Sequence, residues 1–263
     1  VLYRDELIPK TLYKYRDWAI EKHRVLIKNN SIWVPNSSDF NDPFDCNIPV
    51  NYDHIRTDRK KAEQWLKKIL TAQGKSMSPE LLDAEVQKRL SEAKHENEEF
   101  LKIYSKIILD TSRKNNGVFS LSPINDNLLL WSHYANSHTG FCVGFDSVKL
   151  FDSHEFGGGY VDYPSDFPDV SPIEETLSQY KKMVFSKSNH WNYEFEYRLT
   201  TLKKTNQLFK LNPEVFTEII FGAKMSEKDK NEIKEYTKYN LPHVKFFNCI
   251  PESRFFKIAI VPE

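Results

Sequence analysis

Residues 117–145 read GVFSLSPINDNLLLWSHYANSHTGFCVGF, and the hydrophobic period changes twice within them. Val118-Phe119-Ser120-Leu121-Ser122 has the β-branched and aromatic character of a strand. Asn125-Asp126-Asn127 then offers an N-cap for a short helix running to about Ser137, which Gly140 can stop. Phe141-Cys142-Val143-Gly144-Phe145 is a second strand. Helical sequence lies upstream and strand runs lie downstream, without the regular βαβ alternation of a doubly wound sheet. The expected fold class is therefore α+β.

Working upstream, residues 59–110 carry a helical period. Trp65, Leu66, Ile69 and Leu70 form one apolar stripe, and Gly74 breaks it. Ser78-Pro79 restarts the helix as an N-cap with proline in the first turn. Leu82, Val86 and Leu90, then Leu101, Tyr104 and Ile108, continue the apolar face. This is a helical insert whose Lys and Glu read as a solvated face. Further back, the aromatic and cationic run Tyr13-Lys14-Tyr15-Arg16 leads into a short helix ending near Ile27. A strand at Ser31–Val34 follows, then a polar, Pro-punctuated loop over 35–45.

Downstream, 151–172 reads as a long loop that includes Gly157-Gly158-Gly159. A helix is expected near 173–185 and a period-two strand over 191–202. Strands near 218–221, 244–248 and 255–261 flank a helix over 226–239. No repeat or linker interrupts the chain, so residues 1–263 are expected to form a single domain.

The 37 basic residues equal the 37 acidic ones. That balance disfavours a dedicated nucleic-acid binder, which needs a basic surplus against phosphate. The three cysteines are odd in number and widely spaced, which fits reduced thiols in the cytoplasm and excludes cysteine-rich zinc motifs. No stretch approaches the roughly 18 apolar residues of a membrane span, and the N-terminal VLYRDELIPK has no signal-type apolar run. Phosphate-loop, dinucleotide-fingerprint, HExxH and GxSxG motifs are absent. Of the 18 Phe, 13 Tyr and 5 Trp, most are expected in the core, which leaves a minority as candidates for a ligand wall.

Four segments could carry chemistry. In a helix, Trp131, Tyr134, Ala135 and His138 share one face and would make an aromatic wall with a polar end; the competing reading is a stripe packed on a sheet, with His138 satisfied by a backbone carbonyl. His133 and His138 lack the spacing of a helical metal pair, so no metal is expected. In a strand, Glu194, Glu196 and Arg198 share one face while Phe195, Tyr197 and Leu199 point into the core. Arg198 would orient Glu196, and an oriented carboxylate can stabilise an oxocarbenium-like centre. The competing reading of this strand is a solvated charged face. The third segment is Phe40-Asn41-Asp42-Pro43-Phe44-Asp45, where Asn41 and Asp42 serve either a rigid turn or a polar ligand. The fourth is Tyr13-Lys14-Tyr15-Arg16, suited to a base and phosphates.

Taken in order, LYKYR at 12–16, FNDPFD at 40–45, LWSHYA with HTGFCVGFD in the centre, and WNYEFEYR at 191–198 resemble the bacterial family catalogued as domain of unknown function 2971. In roles rather than spelling, the chain also resembles the ADP-ribosyltransferase superfamily. That second resemblance implies mixed, mostly antiparallel sheets around a cleft that binds NAD. It places Tyr13 to Arg16 at the adenosine side, Tyr134 with Trp131 against nicotinamide, and Glu196 at the nicotinamide ribose. Glu194 and Glu196 have the spacing of the superfamily's paired acidic residues, which there lie in a loop.

The leading expectation is an NAD-using ADP-ribosyltransferase or NAD glycohydrolase, plausible as a bacterial toxin or antiviral defence effector. Glu196, Tyr134, Arg198 and His138 are its candidate catalytic residues. Tyr13, Lys14, Tyr15, Arg16, Asn41, Asp42, Trp131 and Glu194 are its candidate binding residues. Its partners would be a small nucleotide and a protein or nucleic-acid acceptor, with no membrane. The alternatives are a non-catalytic nucleotide- or partner-binding sensor module and, third, a nuclease.

Overall fold

The computed structural model describes residues 7–72 and 77–263, so Gly74 lies outside the described residues. The chain runs β1 (Thr11–Arg16), α1 (Glu21–Lys28), β2 (Ser31–Val34), α2 (Asp53–Arg56), α3 (Arg59–Ala72), α4 (Pro79–Ser91) and α5 (Glu98–Asn115). It continues through β3 (Asn116–Leu121), α6 (Leu128–Tyr134), β4 (Phe141–Asp146), α7 (Ser147–Asp152), β5 (Gly157–Tyr160), α8 (Thr176–Val184) and β6 (Tyr197–Leu202). It closes with β7 (Gln207–Lys210), β8 (Phe216–Phe221), α9 (Glu227–Asn240), β9 (Lys245–Pro251) and β10 (Ile258–Pro262).

The architecture is α+β with mostly antiparallel sheets. Five strands form one sheet in the order β1-β4-β8-β9-β10, and three form another in the order β3-β6-β5. β2 pairs with β7 separately. Among these pairs only β8 with β9 is parallel. The two larger sheets meet at one bridge, where Tyr13 and Ser122 exchange backbone hydrogen bonds of 2.7 and 3.0 Å. That bridge sets β1 beside the end of β3 and so fixes the neighbours of Lys14. Phe119, Phe141, Phe145, Tyr197, Leu199 and Phe221 belong to the core that the sheets enclose, where aromatic area supplies much of the burial energy.

The helical insert keeps its place and has its own core of Tyr52, Trp65, Leu66, Leu70, Val86, Leu90 and Leu101. Ser78 caps α4 by accepting from the Leu81 amide at 3.3 Å, with Pro79 in the first turn. The aromatic run at 13–16 is a strand, in regular antiparallel pairing with β4 from Thr11 to Arg16.

Three other expectations change. Gly157-Gly158-Gly159 is strand, not loop: a Cβ on Gly158 would meet the Phe151 ring at 2.6 Å, so only glycine lets β5 pass there. The helix expected to reach Ser137 ends at Tyr134, because Asn136, Ser137 and His138 all take left-handed backbone, with φ of 47, 54 and 71°. The strand expected over 191–202 begins only at Tyr197. Residues Asn189–Glu194 form a 3-10 turn and Phe195 takes φ 45°, which exposes its ring instead of burying it.

Candidate functional site

The left-handed Phe195 is the local device that builds the site. It turns the chain between Glu194 and Glu196 so that both carboxylates converge on Lys187. The Lys187 ammonium lies 2.6 Å from Glu194 Oε2, 3.3 Å from Glu196 Oε2 and 3.7 Å from Asp45 Oδ2. Arg198, from β6, is fully buried behind them. Its Nε and Nη2 donate to the two oxygens of Glu196 at 2.9 and 3.0 Å, and Nη2 reaches both Asp45 oxygens at 2.7 and 2.8 Å. Its Nη1 donates to the Val184 carbonyl and to Cys46 Sγ.

Glu194, Glu196 and Arg198 are 4%, 3% and 0% exposed, which overturns the solvated-face reading. Buried charges survive only when paired and hydrogen-bonded, and these are. Burial alone would raise the Glu196 pKa, but Arg198 and Lys187 outweigh it and hold the carboxyl well below its ordinary range. Burial pulls Lys187 down, while Glu196, Glu194 and Asp45 together lift it above a normal lysine.

α6 supplies the next wall. Asn127 caps it by accepting from the Leu129 and Leu130 amides and donates to the Tyr193 carbonyl at 2.6 Å, tying the helix to the glutamate turn. About two turns on, the Tyr134 hydroxyl donates to Glu194 Oε1 at 2.5 Å. Burial and the Glu194 charge both push the Tyr134 hydroxyl far above its usual pKa, so it stays protonated. The Glu196 amide donates to the Tyr163 hydroxyl at 2.7 Å.

β1 faces this acidic group with Lys14 and Arg16. The Lys14 ammonium lies 4.8 Å above the Phe119 ring and donates to the Ser120 carbonyl, and the Arg16 guanidinium is 5.8 Å from the same ring. Among the described residues neither makes an ion pair with a carboxylate. Loss of water lowers the pKa of both, Arg16 to about 10. Each nonetheless keeps accessible surface and lines a cavity of about 160 Å³. Two desolvated basic groups without a carboxylate partner, open to a cavity, have the chemistry to take an anion, whose charge would favour their protonated forms.

That one cavity is also lined by Tyr13, Tyr15, Asn41, Tyr134, Glu194 and Glu196, so it gathers most of the residues singled out from sequence. Four are placed elsewhere or otherwise employed. Trp131 is fully buried, edge-on to Tyr15 at 5.1 Å, with its indole N–H donating to the Asn125 carbonyl at 2.8 Å. It can touch no ligand. His138 leaves the helix in the left-handed turn, stacks on Trp131 at 6.4 Å and is not among the cavity walls. Asp42 is also off the wall and accepts from the Phe44 amide at 2.9 Å, a structural turn. Arg198 sits one layer behind the wall and acts through Glu196.

Asp45, Lys187 and Tyr163 went unselected. Asp45 closes the quoted FNDPFD segment, so its signal was present. Lys187 is one lysine among many and its sequence neighbourhood marks nothing.

A larger groove of about 900 Å³ runs between residues 47–56 and α5. Its charges pair at the surface, as in Arg56–Glu98 at 3.7 Å, where such pairs contribute little. The smaller cavity has the perturbed groups, and perturbed groups in a cleft mark function better than volume does. Among the described residues, no three His, Cys, Asp or Glu side chains group so as to hold a metal ion, and no helix is long and apolar enough to cross a membrane.

The fold and cavity thus define an α+β protein with a charge-locked polar cleft. A family model described as protein of unknown function (DUF2971) matches residues 130–199, which supports the resemblance carried by the central and late motifs. The matched span includes Tyr134, Lys187, Glu194, Glu196 and Arg198, whereas β1 and the 40–45 loop lie outside it. No curated protein and no solved structure matches the chain.

Proposed function

We propose that the cavity binds NAD and that the protein cleaves its nicotinamide–ribose bond, as an ADP-ribosyltransferase or NAD glycohydrolase. The observation that carries this reading is the meeting, inside one cavity, of two basic side chains on β1 that have no carboxylate partner with the carboxylates of Glu194 and Glu196. Lys14 and Arg16 suit a pyrophosphate. The acidic end suits a sugar that becomes cationic.

In the reaction, the bond between ribose C1′ and the pyridinium nitrogen breaks and its electron pair leaves with neutral nicotinamide. The ribose becomes oxocarbenium-like, and the negative field of Glu196 stabilises it. Arg198 and Lys187 keep that carboxylate ionised and fixed, so little reorganisation is needed as charge develops. Tyr134, protonated and fixed by Glu194, packs against the leaving ring. Water, or a nucleophile of an acceptor, then bonds to C1′ and gives up a proton.

Incubation with NAD, followed by quantification of free nicotinamide and of ADP-ribose mass added to candidate proteins or nucleic acids, tests the proposal. Nicotinamide with free ADP-ribose indicates the glycohydrolase, and added mass indicates the transferase. No nicotinamide from folded protein would remove the reading.

A second reading, a non-catalytic nucleotide-binding sensor, is favoured by one feature. Both Glu196 oxygens already accept from Arg198. Glu196 Oε2 also accepts from Lys187 at 3.3 Å, so at least three of a carboxylate's roughly four lone-pair positions are occupied and little capacity is left for a reacting sugar. In the sensor reading NAD or a related nucleotide binds without turnover.

A further inference from the structure

A second cavity of about 590 Å³ adjoins the first, and Arg16 lines both. Trp33 of β2 stands on its wall. Within that strand Ile32 and Val34 are buried, while the Trp33 indole is 42% exposed. Its cross-strand partner Leu208 is 50% exposed and lines the same cavity. An indole and an aliphatic side chain side by side form a flat apolar ledge in open solvent, suited to the face of an aromatic ring.

The remaining walls supply acceptors and a cation. Among the described residues the Asp39 side chain has no hydrogen bond or ion pair. His23 holds its Nδ1 3.1 Å from the Asp17 carbonyl, so that nitrogen carries the proton and Nε2 is left as an acceptor. Loss of water and the charges of Arg16 and Lys14 lower the His23 pKa to about 4, so the ring is neutral at physiological pH. A stacking ledge, two acceptors and a cation at the junction match three parts of a nucleotide: the face of its base, its ribose and amine donors, and its phosphates.

We propose that this second cavity is the subsite for the adenosine half of a dinucleotide, with Trp33 stacking on the base, Asp39 accepting from ribose or the exocyclic amine, and the phosphates bridging the two cavities over Arg16. The inference rests on the NAD reading for the other half of the ligand. The subsite itself is testable without it, because ADP carries all the groups it recognises.

The experiment is calorimetric titration of the full chain with ADP, using Trp33→Ala, Asp39→Asn and, as a control in the separate groove, Lys102→Ala. Trp33 and Asp39 lie at the surface, and a thermal melt of each variant checks its folding. The expected result is ADP binding by the wild type and by Lys102→Ala, weakened about tenfold or more in Trp33→Ala and measurably in Asp39→Asn. Absence of ADP binding, or wild-type affinity in Trp33→Ala, overturns the subsite. Nicotinamide release from NAD by the wild type is read in parallel. Trp33-dependent ADP binding without release retains the subsite and removes the enzyme reading; release with Trp33-independent binding does the reverse.

Discussion

Arg198 makes the strongest single claim on stability in the molecule. It is fully buried and holds Asp45 and Glu196 at once. Its own pKa, which burial would lower, is driven up by those carboxylates. Arg198→Met therefore leaves three buried carboxylates, Asp45, Glu194 and Glu196, with only Lys187 to neutralise them. Loss of one partner in a buried ionic group costs about 3–5 kcal/mol, and the urea midpoint should fall accordingly. A variant within about 0.5 kcal/mol of the wild type would mean that the cluster relaxes into water.

Much of this residue-scale picture was legible. Glu196 and Arg198, two apart in a strand-like run, announced a shared face. Lys187 could not be found, because pairing across the chain fold leaves no local pattern. Trp131 and His138 misled for a related reason. Helical spacing fixes which residues share a face, but not whether that face meets a cavity or the core.

At the scale of elements, the turn after α6 governs how β4 enters the sheet beside β1. A Cβ at Gly140 would collide with the Arg16 carbonyl and lie 3.0 Å from the Ala135 carbonyl, both backbone atoms that cannot swing aside. Gly140→Ala should lower stability by about 1–3 kcal/mol and displace Arg16, which a thermal melt and loss of ADP affinity together would register. An unchanged melting temperature would show that β1 and β4 can separate locally. The existence of β3, α6 and β4 followed from the hydrophobic period, as did the helices of the insert. Their ends did not. The run of left-handed residues at 136–138 is closed by bonds from the Ser137 and His138 amides to the Ser132 and Trp131 carbonyls, and a phenylalanine such as Phe195 carries no propensity for the left-handed conformation. The glycine run at 157–159 reads locally as a flexible loop, and only the approach of Arg198 and Phe151 explains it as a strand.

Across the whole molecule, equal numbers of opposite charges conceal an uneven distribution. Lys187 and Arg198 face three carboxylates, while Lys14 and Arg16 stand unpaired. This arrangement gives a pH dependence of stability. Glu196 titrates in the folded chain below its ordinary value of 4.5. Its stabilising contribution is complete above that ordinary value and is lost as pH falls toward the folded one, because the unfolded chain takes up the proton first. Urea midpoints measured from neutral pH down through the acid range should therefore drop, and Glu196→Gln should flatten the drop. Equal slopes in the two proteins would assign the acid sensitivity elsewhere. The α+β class was legible at this scale from the order of helical and strand runs. The meeting of the two sheets at Tyr13 and Ser122, which creates the cavity, was not, since no sequence pattern encodes a single bridge.

Glu196→Gln also separates binding from chemistry. Glutamine keeps an acceptor for Arg198, Asp45 still neutralises that guanidinium, and Glu194 still neutralises Lys187, so the variant should fold. The decisive measurement is NAD affinity and nicotinamide release on the same preparations of wild type and Glu196→Gln. The expected result is NAD bound by both proteins, with nicotinamide released by the wild type and release reduced at least about a hundredfold in the variant. Equal release by the two proteins would contradict the role of Glu196, and binding without release by the wild type would make the cavity a sensor rather than an active site.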